Sequence, residues 1–186
     1  MSPILGIYAS SMQPALNATS FESIATVTVG AGGSSNVTFS SIPSTYKHLQ
    51  IRISTLCSTN GPEIYSQFNS DTAGNYSWHS LFGNGATASG SNLGTSATAI
   101  YTAGLGVGQS TSYPFVIVYD ILDYADTNKY KTARILAGSD KNGSGEVELI
   151  SGNWRSTSAI NAIKLYGGSG NFAQYSSFAL YGIKGA

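Results

Sequence analysis

The chain has 186 residues, nine basic and nine acidic side chains, and a formal net charge of zero. Only 10% of its residues are charged, against roughly 25% in an average soluble domain, while Gly supplies 22 residues and Ser and Thr together 45. The 41% apolar fraction, with 12 Tyr and 7 Phe, is enough for a core and excludes a disordered chain. Zero net charge without a Lys/Arg run argues against electrostatic nucleic-acid binding, and the single cysteine, Cys57, excludes a disulfide framework or a Cys-rich zinc site.

Met1 to Thr19 (MSPILGIYASSMQPALNAT) differs from the rest of the chain. It carries a short apolar stretch, Ile4 to Ala9, between Pro3 and Pro14. The first basic residue is Lys47, so the basic n-region of a secretory signal is missing, and no run has the ~18 apolar residues of a membrane span. The segment admits two readings. One is a fraying terminus with a single edge strand. The other, adopted here, is an N-terminal docking arm over residues 1–19 that seats Ile4, Leu5, Ile7 and Tyr8 on the shell or on another subunit.

From Phe21 the pattern is alternation and turns. Phe21, Ile24, Val27 and Val29 mark a strand, followed by a Gly/Ser turn over 30–35 and a short strand at Val37 and Phe39 that Ile42-Pro43 ends. Leu49, Ile51 and Ile53 alternate with Gln50, Arg52 and Ser54. Ile64 to Phe68 and Tyr76 to Phe82 read as strands separated by a polar turn. Gly83 to Gly108, rich in Gly, Ala, Ser, Thr and Asn, is expected to be a long loop, or two loops around one short strand at Thr98 to Tyr101. Tyr113 to Leu122 (YPFVIVYDIL) is the most continuous apolar run and predicts a central strand. Further strands are predicted at Tyr130 to Leu136, at Val147, Leu149 and Ile150, at Ile160 to Leu165, and at Phe178 to Ile183. About ten short strands without a helical stripe predict an all-β, jelly-roll-like antiparallel β-sandwich over residues 20–186.

Few constellations suggest chemistry. Asp140-Lys-Asn-Gly-Ser-Gly145 resembles the start of a calcium loop, but the twelfth position is Ser151 rather than a bidentate Glu, and an Asn-Gly hairpin turn accounts for it better. Asp120, Asp123 and Asp126 read as a strand end running into a solvated loop, with Lys129 and Lys131 as compensating charge. Glu146 and Glu148 are expected together on one solvent-facing side of a strand, which does not suit a glycosidase pair. His48 and His79 stand beside many serines, but no G-x-S-x-G elbow and no phosphate-binding G-x-x-x-x-G-K-[ST] loop occurs. Cys57 reads as a small core residue. Trp78 and Trp154 could stack on sugars, although such residues more often fill a core or a subunit interface. The expectation is therefore no enzyme, no cofactor, no metal, no nucleic acid and no membrane.

Several stretches together resemble a family of small virion proteins of tailed bacteriophages. They are Ile4-Leu-Gly-Ile-Tyr-Ala-Ser-Ser11, Phe39-Ser-Ser-Ile-Pro43 through Tyr46-Lys-His-Leu-Gln-Ile51, Phe68-Asn-Ser-Asp-Thr72 with Asn75-Tyr76, and Ser177-Phe-Ala-Leu-Tyr-Gly-Ile183. The order of these motifs along nearly the whole chain carries the resemblance. It implies a jelly-roll-like β protein displayed on the head shell or the tail, and it transfers no catalytic residue. The expected role is a capsid decoration or cement protein on the outer head surface. Its expected partners are further copies of itself, as a homotrimer, and the major capsid protein. The alternative is a tail or fibre protein binding host-surface glycans through the 83–108 segment and Trp78 or Trp154.

Overall fold

The computed structural model describes residues 20–58, 63–104 and 111–185. Residues 1–19, with Ile4, Leu5, Ile7 and Tyr8 of the expected docking arm, lie outside the described residues. The strands are β1 (Phe21–Thr28), β2 (Asn36–Phe39), β3 (His48–Thr55), β4 (Ile64–Phe68), β5 (Tyr76–Gly83), β6 (Ala88–Ala97), β7 (Ile100–Ala103), β8 (Phe115–Leu122), β9 (Lys131–Asp140), β10 (Gly145–Trp154), β11 (Ile163–Gly167) and β12 (Ser177–Ile183). They form an eight-stranded sheet in the order β1-β12-β3-β8-β9-β10-β5-β6 and a four-stranded sheet in the order β2-β11-β4-β7. Every strand pair is antiparallel. Among the described residues no helix is long and apolar enough to cross a membrane. The expected all-β sandwich is the observed architecture; the eight-plus-four division supports it at the level of a two-sheet antiparallel sandwich.

Period-2 alternation builds the core. On β3, Leu49, Ile51 and Ile53 point inward, as do Phe115, Ile117, Tyr119 and Ile121 on β8 and Phe178 and Leu180 on β12. The four-stranded sheet closes over this face with Ile64, Phe68, Ile163 and Leu165. A polar contact fastens the two layers: Ser66 on β4 meets the Tyr119 hydroxyl of β8 at 2.8 Å, and within the small sheet Thr102 on β7 donates to the same Ser66 at 3.3 Å. Gly152 lies where β7 presses on β10. A Cβ there would stand 2.6 Å from Ile100 Cγ2, so only glycine lets Ile100 seat against the strand.

The β9–β10 connection follows the Asn-Gly expectation. Asn142 (φ 56°) and Gly143 (φ 103°) both adopt positive φ, and the Lys141 N–H donates to the Ser144 carbonyl at 2.7 Å. That is the backbone of a tight two-residue hairpin turn, and it sets a ten-residue register between β9 and β10.

The loop expected over 83–108 is corrected. Ala88–Ala97 forms a ten-residue edge strand, β6, beside β5. Its sequence, ASGSNLGTSA, has no alternation to read, because both its faces are largely exposed. Backbone pairing to β5 holds it, and Arg155 clamps its end by donating to the Thr95 carbonyl at 2.6 Å and the Tyr76 carbonyl at 3.4 Å.

Candidate interaction surface

The four-stranded sheet covers only the inner face of the large sheet. On the outer face the register aligns aliphatic side chains from neighbouring strands. Val118 on β8 stands opposite Leu136 on β9, which stands opposite Leu149 on β10, which stands opposite Leu81 on β5. Val116 and Val147 flank this ladder in the next row, separated by Gly138, and Leu122 extends it along β8. These seven side chains are 38–62% exposed. Together they leave on the order of 500 Å² of aliphatic surface, in the upper range for the largest patch on a soluble monomer.

Shape and polarity bound the patch. Gly138 opens a hollow of about 390 Å³ between Val116, Val118, Leu136 and Val147. On the other side of the Leu136–Leu149 pair, a hollow of about 470 Å³ is lined by Leu81, Leu122, Leu149 and Arg134. The adjoining row is polar: Gln50 donates to Asp120 at 2.8 Å, and Arg134 lies 3.9 Å from the same carboxylate. Arg52, next to Val118 in the ladder row, turns away to lie 5.2 Å over the Phe21 ring and 5.5 Å over that of Tyr181. The ladder itself carries no charge.

The expected solvent face for Glu146 and Glu148 is corrected: both are buried, Glu148 completely. β10 carries two competing apolar sets, Val147 with Leu149 and Ile150 with Trp154. The structure turns Ile150 and Trp154 inward, and the glutamates share their parity. Burial of Glu148 is tolerated because partners wait inside. The Tyr101 hydroxyl lies 2.8 Å from each Glu148 oxygen and donates to them, and the Gly104 N–H donates at 3.1 Å. This carboxyl joins β10 to β7 across the sandwich and does not face solvent.

The other singled-out residues do not converge. Asp123 lies in an ion cluster with Lys47 (2.9 Å) and Lys129, Asp126 accepts from the Asn128 N–H at 2.7 Å, and Asp120 belongs to the outer face. The Lys129 and Lys47 ammonium groups bonded to Asp123 hold its carboxyl down at about 2, against an opposing push from burial. Among the described residues no group of three or more His, Cys, Asp or Glu could hold a metal ion. His48 Nδ1 accepts the Asp123 N–H at 3.0 Å, whereas His79 lies on the outer face opposite Ser151. Cys57 is buried, and burial pushes its thiol up to about 11.

The two tryptophans are core residues. Trp154 is buried, stacks with Tyr76 at 6.3 Å and donates its Nε1–H to Asp71 at 2.7 Å. Trp78 is also buried, packed 5.0 Å from the Tyr101 ring, so neither indole offers an open face to a sugar. Trp78 does border a cleft of about 260 Å³ with the stacked pair Tyr65 and Tyr166, and its buried Nε1–H has no hydrogen-bond acceptor among the described residues.

No family model, curated protein or solved structure matches the chain. The likeness to phage virion proteins therefore stands on the sequence motifs alone. Sequence reasoning missed the ladder, although one signal was present. The apolar run of β8, broken only by Asp120, is close to that of a strand covered on both faces, and in this chain one of those faces is open.

Proposed function

We propose that the chain is a non-catalytic structural subunit of a tailed-phage virion, a decoration or cement protein of the outer head surface. It acts by mass action: subunits that bind only the assembled shell stabilise it relative to its parts. The observation that carries this reading is the uncharged aliphatic ladder, an interface-like surface on a chain with little charge elsewhere to keep copies apart. The expected assembly is a homotrimer standing on the major capsid protein, held by oligomeric and arm-mediated contacts. Immunogold labelling of intact source particles with antibody to residues 20–186 tests it. Label spread over the head is the expected result. Label confined to the tail would move the assignment to host recognition, and particles without label would refute a virion role.

A second reading, a tail or fibre module that binds host glycans, is favoured by one observation. The stacked pair Tyr65 and Tyr166 offers aromatic surface in the cleft that Trp78 borders. A glycan array separates the readings: binding that Tyr166→Ala abolishes would support this one, and a blank array would remove it.

A further inference from the structure

We infer that the ladder on the outer face of the eight-stranded sheet is the seat of the N-terminal segment Ile4–Tyr8 of a neighbouring copy. The inference deepens the shell-subunit reading and takes the exchange between copies from it.

Several features bear on this occupant. On the outer face of β8, Val116, Val118 and Leu122 are exposed aliphatic side chains interrupted only by Asp120, close to the composition of a face that something covers. A second sheet laid face to face would have to desolvate Arg134 and Asp120 in the adjoining row. A narrow extended segment along the ladder row need not cover Asp120.

The dimensions fit. Four strands at spacings of about 4.8 Å make the ladder about 14 Å long, and five extended residues span about 17 Å. The hollows on either side of the Leu136–Leu149 pair give large aliphatic or aromatic side chains somewhere to go, and Ile4, Leu5, Ile7 and Tyr8 are such side chains. Charge matches as well: residues 1–19 contain no Asp, Glu, Lys or Arg, and neither does the ladder. Eleven residues separate Tyr8 from Ser20, and fully extended they reach about 36 Å.

The test uses the whole chain with one added cysteine, Ile7→Cys on one tagged chain and Leu149→Cys on another. Native Cys57 stays, being buried and poorly ionised. Leu149 is half exposed, so its replacement leaves the core intact. After mild oxidation of the mixture, a non-reducing gel is expected to show a mixed disulfide dimer that neither chain forms alone. Absence of the mixed dimer would overturn the inference. So would dimers formed as readily by the Leu149→Cys chain alone, which would mean face-to-face packing. A double variant that closes its disulfide only within one chain would overturn it too, by placing the segment on its own sheet. Because the assay uses purified protein and no particles, its failure is separable from failure of the virion assignment, which the labelling experiment decides.

Discussion

The parity of β10 determines which side of the large sheet is available for contact, and it can be tested by two substitutions one residue apart. If Glu148 faces the interior, Glu148→Ala removes the acceptor of the Tyr101 hydroxyl and of the Gly104 N–H. Each acceptor lost in a site closed to water costs about 1–3 kcal/mol, so the pair sums to about 2–6 kcal/mol. Relief from burying an acidic group trims this to about 2–4 kcal/mol. Leu149 is half exposed, and Leu149→Ala forfeits only the packed half of a leucine, about 1 kcal/mol. For a chain of this size each kcal/mol moves Tm by roughly 2–4 °C. Glu148→Ala should therefore melt about 4–16 °C below the parent and Leu149→Ala about 2–4 °C below. Thermal unfolding followed by tyrosine and tryptophan fluorescence supplies the melting midpoints, and urea unfolding the free energies, with the slope checked for constancy. Glu148→Gln, which keeps an amide oxygen for Tyr101, should fall between the two. If Leu149→Ala proved as costly as Glu148→Ala, the strand would be facing the other way, and the ladder would not exist.

Local geometry gives two further outcomes. A Cβ on Gly182 would stand 2.3–2.5 Å from three atoms of the Tyr46 ring, so Gly182→Ala must displace that ring and break its 3.1 Å hydrogen bond to Glu22. The expected loss is about 1–3 kcal/mol by thermal melting, and an unshifted Tm would contradict the packing of Tyr46 on β12. Asp123, held at about 2 by Lys129 and Lys47, has a folded pKa below its ordinary value of 3.8. Its contribution is therefore complete above that value and is lost as pH falls from 3.8 towards 2. Asp123→Asn should flatten this acid limb of the pH–Tm curve, and high salt should do part of the same, because both lysines are exposed. An unchanged acid slope in the variant would show that the cluster contributes nothing.

How far the sequence could be read depended on whether one periodicity dominated each segment. On β3, Leu49, Ile51 and Ile53 alternate with Gln50, Arg52 and Ser54, and strand and face are both legible. On β10 two apolar parities overlap, so the strand is legible and its face is not. The face is decided by Tyr101, distant in sequence, which meets Glu148 only once β7 is packed across the sheet. β6 has no legible pattern because it has no buried face; it exists by pairing with β5, a neighbour effect that local composition does not record. The tryptophans were legible as aromatic mass, and their burial comes from stacking partners, Tyr76 and Tyr101, supplied by other strands. The ladder lies furthest from the sequence. Val118, Leu136, Leu149 and Leu81 come from four strands and become neighbours only through the register that the Asn142-Gly143 turn helps to fix.

The open edges of the sandwich argue in the same direction as its open face. The small sheet ends in β2 and β7, four residues each, too short to template another strand well. The large sheet ends on one side in β1, where Glu22 is paired with Lys184 at 2.5 Å. On the other side it ends in β6, ten residues without a charge or a proline. Proteins that must stay monomeric commonly place lysines, prolines or inward charges on such an edge and interrupt aliphatic rows with charge. Here the edge beside Leu81 lacks those devices, and the row from Val118 to Leu81 has none within it. A charged residue within the ladder would cost little folding energy, because these positions are about half exposed, yet all four carry Val or Leu. Folding alone does not require aliphatic residues at those four places, whereas a contact surface does.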